Sequence, residues 1–147
     1  MPEGGSPARR SLAEKIDHLF ATVRSPRGTE YTFEEVAGAL RDAGGPTISA
    51  TYVWQLRKGL RDNPTKRHLE ALAGFFGVPP SYFFDDEAAE RIEAELELLS
   101  ALRDQSVRAV ALRAVGLSPS SLETIQAVID NARRLEGLPE RPEDPQP

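Results

Sequence analysis

The stretch SATYVWQLRKGLRDNPTKRHLEALAGFF, residues 49–76, decides the fold, because it contains two helix starts and one helix stop. Ser49 and Thr65 are typical N-cap residues, and Gly59 is a typical helix stop. After Thr65, apolar residues recur at helical spacing, at Leu69, Leu72, Ala73 and Phe76. The stretch therefore predicts two short helices, over about 49–58 and 65–76, joined by a loop.

The same stretch is basic although the whole chain is acidic. It holds five Lys and Arg residues against Asp62 and Glu70, whereas the 147-residue chain has a formal net charge of -5. Residues 1–84 carry 11 Lys and Arg against 9 Asp and Glu, and residues 85–147 carry 7 against 14. Such asymmetry between two halves predicts two domains with different tasks.

Composition excludes several classes of protein. The chain has no Cys, which excludes disulfides, thiolate metal sites and Cys nucleophiles. No apolar run approaches the roughly 18 residues of a membrane span, and residues 1–15 lack an apolar signal segment, so we expect a cytoplasmic protein without membrane contact. Neither His18 nor His68 has partners at metal spacing, and the carboxylates lack an accompanying His or Gly-rich loop. We therefore expect no metal, no cofactor and no enzymatic activity.

The rest of the chain predicts helices, since no window shows the sustained alternation of a strand. Ser11 with Glu14, and Thr32 with Glu35, form candidate capping boxes. We expect a disordered tail at 1–10, a helical domain at 11–84, a second helical domain at 85–137 and a disordered Pro-rich tail at 138–147. In the second domain, helices are expected at about 86–103, 106–115 and 119–135, the last with Ser118 as N-cap.

The helices expected at 33–43 and 49–58 are short and joined by a Gly-containing turn, which is a helix-turn-helix pattern. The second helix of such a unit places its N-terminal residues in the major groove of double-stranded DNA. The predicted base contacts are Ser49, Ala50, Thr51, Trp54, Gln55 and Lys58. The predicted phosphate contacts are Arg57, Arg61, Thr65, Lys66, Arg67 and Arg27. Whether Trp54 faces DNA or the core stays open at this point.

Residues 11–84 resemble the lambda-repressor-type (XRE) helix-turn-helix family, through TFEEVAGAL, SATYVWQLRKG and NPTKRHLEALAGFFGVPPSYFF. The resemblance implies a bundle of five short helices that binds DNA. Three features depart from the family pattern. Phe33 stands where Gln is usual, Arg57 stands where Glu is usual, and the turn RDAGGPTI is longer than the usual one.

A narrower resemblance covers most of the chain. YVWQLRKGLRDNP, FFDDE and LELLSALRDQSVRAVALRAVGLSP are similar to the EspR family of actinobacterial nucleoid-associated regulators. This implies an all-α protein with an N-terminal DNA-binding domain, a C-terminal helical dimerisation domain and a role in transcriptional control. Apolar stripes in the C-terminal half predict a homodimer through these helices. The alternative is that the stripes close a small core within one chain, so the candidate interface or core residues are Ile92, Leu96, Leu99, Leu122, Ile125 and Ile129.

Two alternatives remain open from the sequence. One is a protein-interaction adaptor that keeps the helix-turn-helix fold, which the acidic pI of about 5.1 and the Phe33 departure favour. The other is a ligand-sensing regulator with a pocket among the C-terminal helices, although no convergent polar residues there indicate one.

Overall fold

A computed structural model describes residues 10–139. Its helices are α1 (Leu12–Thr22), α2 (Phe33–Asp42), α3 (Ala50–Lys58), α4 (Lys66–Phe76), α5 (Ser81–Phe84), α6 (Asp86–Ala101), α7 (Gln105–Ala114) and α8 (Pro119–Leu135). Within residues 10–139 there is no β-strand, only a single antiparallel bridge between Arg24 and Glu30. The all-α prediction is confirmed for this part of the chain. Of the predicted tails, residues 1–9 and 140–147 lie outside the described residues.

Five of the helices, α1 to α4 and α8, begin where the sequence predicts, because a hydroxyl side chain caps each of these starts. The N-cap residues Ser11, Thr32, Ser49, Thr65 and Ser118 each accept a hydrogen bond from the backbone N–H three residues on. At α1 and α2 the capping boxes are complete, since Glu14 and Glu35 also accept from the N-cap backbone N–H. These bonds satisfy amide donors that have no partner inside the helix.

Two local predictions differ from the structure. The segment GVPPSYFFDD, predicted as a turn, contains the single-turn helix α5. Helix α7 begins one residue earlier than predicted, because the Asp104 carboxylate accepts from the backbone N–H groups of Ser106 and Val107 at 2.8 and 3.1 Å. Asp is among the residues preferred at an N-cap, so it fixes the start of this helix.

The described residues divide into two compact units, with the boundary between residues 100 and 101. The sequence placed this boundary between residues 84 and 85, at the start of α6. The boundary lies further along because Ala88, Ala89 and Ile92 of α6 are buried in the same core as α1–α5. Asp86 and Glu87 lie in the first turn of α6, but the small and branched apolar residues of this helix recur at helical spacing and cover the bundle.

In the first unit, α1 and α2 both pack against α3, and α2 also packs against α4. The fully buried side chains include Phe20 of α1, Val36 of α2, Val53 and Leu56 of α3, and Leu72 of α4. The ring of Phe20 meets the rings of Phe33 and Phe76 at centroid distances of 5.3 and 5.0 Å. This aromatic contact fixes the ends of α2 and α4 relative to α1.

Polar contacts also hold α6 to the bundle. The buried Tyr82 hydroxyl donates to the Lys15 backbone carbonyl at 3.1 Å, and Glu93 Oε1 lies 3.3 Å from the same hydroxyl. Burial, and then the Glu93 charge, raise the pKa of Tyr82 well above its ordinary value. Arg10 pairs with Glu93 at 2.8 Å and Lys15 pairs with Asp86 at 3.3 Å. These contacts explain why α6 belongs to the first unit.

The second unit contains α7 and α8, and neither helix has a buried residue. Their large apolar side chains are exposed, including Val110 at 56%, Leu112 at 66%, Val128 at 64% and Ile129 at 44%. The predicted apolar stripes therefore exist as surfaces that residues 10–139 leave exposed. Among residues 10–139, no helix is both long and apolar enough to cross a membrane.

Candidate nucleic-acid interface

Helix α3 is anchored in the bundle along one stripe only. Val53 and Leu56 are fully buried, and Gly59 ends the helix at a positive φ of 79°. The opposite stripe therefore lies at the surface over the whole length of α3. This arrangement presents the N-terminal half of the helix to a partner.

The six residues predicted as base contacts lie on this exposed side. Ser49, Thr51, Trp54 and Lys58 are exposed, and Ala50 and Gln55 are partly exposed. The Ser49 hydroxyl oxygen accepts from the Tyr52 backbone N–H at 3.0 Å, so its own O–H remains available to donate. The exposed face thus combines hydroxyl, amide, ammonium and indole groups. Their contact with DNA stays a prediction.

Trp54 is exposed by 39%, which settles the side on which it lies. Together with Phe33, Glu34, Ala50 and Thr51 it lines a shallow notch of about 220 Å³ between α2 and α3, named here the α2–α3 notch. Trp54 is therefore a surface residue of the groove between these two helices, and it contributes no fully buried ring to the core.

A second notch lies on the other side of the α3 N-terminus, toward α4. It has a volume of about 310 Å³ and is lined by Thr47, Ile48, Ser49, Tyr52 and His68. The rings of Tyr52 and His68 meet edge to face at 5.5 Å. Tyr52 thereby packs α3 against α4, which agrees with the packing role that the sequence favoured for it.

Arg57 is drawn into the bundle. Its Nε donates to Asp17 at 2.8 Å and its Nη1 donates to Glu30 at 3.1 Å, while the guanidinium lies 4.7 Å from the centre of the Phe20 ring. Its side chain is only 17% exposed. These contacts neutralise and shield the charge of Arg57. We therefore do not propose Arg57 as a phosphate contact.

Arg27 is also paired, although it is more exposed than Arg57. Its Nη2 donates to Glu35 at 2.9 Å, and its side chain is 62% exposed. The same Glu35 completes the capping box of α2, and hydrogen bonding to Thr32 and Arg27 holds the pKa of Glu35 below its ordinary value. Arg27 therefore supports the start of α2, and its phosphate contact stays a prediction.

Lys58, predicted as a base contact, and three of the predicted phosphate contacts, Arg61, Lys66 and Arg67, have a different environment from Arg57 and Arg27. Lys58, Arg61, Lys66 and Arg67 are all exposed, and none takes part in an ion pair among residues 10–139. They flank the loop at 59–65, and we name these four the basic flank. Thr65 caps α4 by accepting from the His68 N–H at 3.1 Å, so the earlier backbone N–H groups of α4 face outward beside the basic flank. Such a helix start suits a phosphate.

Sequence reasoning missed three contributors to this surface. Asp17 and Glu30 neutralise Arg57, and Glu34 lines the α2–α3 notch. For Arg57 the spacing does indicate an inward position, because Arg57 follows the buried Val53 by four residues and so lies on the inward side of α3. Two of the three departures from the family pattern, Phe33 and Arg57, lie next to each other, since the Arg57 guanidinium is 5.9 Å from the centre of the Phe33 ring.

The six candidate dimer residues divide between the two units. Ile92 is buried in the first core at 8% exposure, and Leu96 packs against that core. Leu99, at 61%, and Ile129, at 44%, are exposed, Leu122 is exposed at 36%, and Ile125 is partly exposed. Ile92 therefore has little surface left for a partner. A dimer proposal depends on the remaining residues.

Comparison with known proteins places the chain in a family. No protein-family model matches it. The chain is similar to the nucleoid-associated protein EspR of Mycobacterium tuberculosis, in strains CDC 1551 / Oshkosh and ATCC 25618 / H37Rv. In both, 41% of residues are identical over 128 residues, which cover 87% of this chain and 96% of the relative. The chain therefore belongs to the family of the nucleoid-associated protein EspR.

Proposed function

We propose that this protein is a transcriptional regulator that binds specific sequences of double-stranded DNA as a homodimer and associates with the nucleoid. In this proposal α2 and α3 act as a helix-turn-helix unit, and α3 enters the major groove. One observation carries the proposal: the exposed side of α3 is polar, and the basic flank adjoins its C-terminal end. The relative's printed name, which describes a nucleoid-associated protein, supports the same conclusion.

The basic flank provides the part of binding that does not depend on sequence. Cations that take part in no ion pair release counterions when they meet phosphates, which favours binding at low salt. The four members of the flank lie on both sides of one loop, so one stretch of DNA backbone can meet them together. Phosphate contacts of this kind position a protein on the duplex.

The exposed side of α3 provides the part that depends on sequence. Gln55 has an amide that both donates and accepts, the pattern that adenine presents in the major groove. Thr51 and Ser49 supply hydroxyls, and Lys58 reaches either a base edge or a phosphate. Because Val53 and Leu56 are fully buried, these groups are held on a rigid helix, so little ordering is needed on binding.

The C-terminal half provides the dimer in this proposal. Exposed apolar side chains on α7 and α8 form a surface of the type that marks protein interfaces. A dimer reaches two half-sites, which raises affinity without any new contact per half-site. The proposed mechanism is equilibrium binding without catalysis, and the acidic second half repels DNA on its own side.

A pair of substitutions tests whether α3 contacts bases while the basic flank contacts phosphates. We expect Gln55→Ala to change the preferred sequence, at a cost of roughly 1–3 kcal/mol at one base pair. Lys66→Ala should weaken all sequences about equally. The measurement is selection of binding sites from a random duplex library, followed by titration of the selected and scrambled duplexes. An unchanged preference in Gln55→Ala would contradict the proposed position of α3 in the groove.

A further inference from the structure

The α2–α3 notch is apolar although it lies on the exposed side of α3. Phe33, Ala50 and Trp54 supply most of its lining, together with Thr51 and the carboxylate-bearing Glu34. An isolated exposed apolar residue is ordinary on a protein surface, but a concave apolar group beside a polar face needs an explanation. The notch opens within the surface that the proposed function places in the major groove.

The lining of the notch is held in place by the core. The Phe33 ring packs against the buried Phe20 ring at a centroid distance of 5.3 Å, and the Arg57 guanidinium lies 5.9 Å from the centre of the Phe33 ring. Ala50 and Thr51 belong to the first turn of α3, which the Ser49 cap fixes. The notch is therefore formed before binding, and a ligand does not have to order it.

Charge excludes a phosphate as the occupant. No Lys or Arg lines the notch, and its one acidic lining residue is Glu34. The acceptor oxygens of a carboxylate suit a donor on a base edge, such as the adenine N6 amino group. The basic flank, in contrast, is made of cations on the loop at 59–65 and the start of α4. The surface thus has two separate regions: the basic flank suits the phosphate backbone of DNA, and the α2–α3 notch suits a base edge.

We propose that the α2–α3 notch receives the 5-methyl group of a thymine, with Trp54 and Phe33 as the residues that discriminate it. This inference rests on the proposed function and specifies which part of the DNA contacts the notch. In the major groove, an A·T pair presents one apolar group, the thymine methyl, and one amino donor, adenine N6. Apolar rings and the Glu34 carboxylate match these two groups. The volume of about 220 Å³ exceeds the roughly 30 Å³ share of a water molecule several times, so a methyl group and the ring edge that carries it can enter.

The test replaces thymine by deoxyuridine, which removes only the methyl group. The full chain is first used to select a preferred duplex from a random library, and each thymine of that duplex is then replaced in turn. Burial of one methyl group corresponds to roughly a fourfold change in Kd. We expect at least one position where deoxyuridine weakens binding about fourfold in the wild-type chain. In Trp54→Ala this difference should disappear at that position.

Phe84→Ala serves as the control variant, because Phe84 is also an exposed aromatic residue, at 54%, but lies on α5. It should keep the full discrimination between thymine and deoxyuridine. Equal binding of both bases at every position by the wild-type chain would overturn the inference, and so would unchanged discrimination in Trp54→Ala. If the wild-type chain bound no duplex, the proposed function itself would be refuted, and this inference with it.

Discussion

Substitution of two adjacent residues, Arg57 and Lys58, separates the contacts that hold the fold from those assigned to DNA. The Arg57 side chain is 17% exposed, pairs with Asp17 and Glu30 at 2.8 and 3.1 Å, and covers the Phe20 ring at 4.7 Å. Lys58 is exposed and has no ion pair within residues 10–139. We therefore expect Arg57→Ala to destabilise the first unit and Lys58→Ala to leave it unchanged.

The expected loss of stability follows from these contacts. A partly desolvated cation–π contact contributes roughly 1–2 kcal/mol, and each ion pair to a half-exposed carboxylate contributes about 0.5 kcal/mol. Arg57→Ala should therefore lower the free energy of unfolding by about 2–3 kcal/mol. With a urea m-value of about 1.5 kcal/mol/M, the midpoint falls by about 1.3–2 M. Lys58→Ala should change the free energy of unfolding by less than about 0.5 kcal/mol.

Fluorescence of Trp54 is a suitable readout, since it is the single Trp of the chain and lies on α3. Urea titration of the full chain then reports unfolding of the first unit. DNA affinity, measured well below the urea midpoint, should fall for Lys58→Ala and stay near wild type for Arg57→Ala. Equal midpoints for the two variants would refute the reasoning. A loss of DNA affinity in Arg57→Ala without loss of stability would restore the phosphate role predicted for Arg57.

The remaining predictions concern pH and assembly. Burial lowers the pKa of His18 from its ordinary 6.5, so the unfolded chain binds more protons than the folded chain below that pH. The free energy of unfolding should therefore fall as pH drops below about 6.5. His18→Gln should remove this step when urea midpoints are measured against pH. Capping hydrogen bonds lower the pKa of Glu14 and Glu35 from 4.5, so a second loss should begin as pH falls below about 4.5, and Glu14→Gln should reduce it. In sedimentation, the full chain should be a dimer and Ile129→Glu largely a monomer, whereas the matched change Asn131→Glu, at an exposed polar position on the opposite side of the same helix, should leave the dimer intact. A dimeric Ile129→Glu would contradict the proposed interface.

The helices of this protein can be predicted from its sequence because their signals are local. Ser49 and Thr65 lie within three residues of the N–H groups that they cap, and Val53 and Leu56 reveal their inward stripe by spacing alone. The polar side of α3 follows from the same spacing. No comparison with another chain is needed for these features.

The features that the sequence did not reveal depend on distant residues. Asp17 and Glu30 precede Arg57 by 40 and 27 residues, so a scan for charge runs counts Arg57 as free. The unit boundary lies within the predicted second domain because Ala88, Ala89 and Ile92 of α6 join a core built mainly from α1–α5. The α2–α3 notch likewise forms from two helices, and the exposure of Trp54 depends on Phe33 beside it. Local patterns cannot show which side chains meet across a bundle.

The salt dependence of DNA binding tests the central claim most directly. If the four cations of the basic flank contact phosphates in each chain of a dimer, log K should fall with log salt at a slope of about −7. Lys66→Ala should make that slope shallower by about 2, since one contact is lost from each chain. The measurement is fluorescence anisotropy with a labelled duplex from about 50 to 200 mM salt. A slope near zero, or no binding at the lowest salt, would contradict the proposal that this protein binds DNA through α3 and the basic flank.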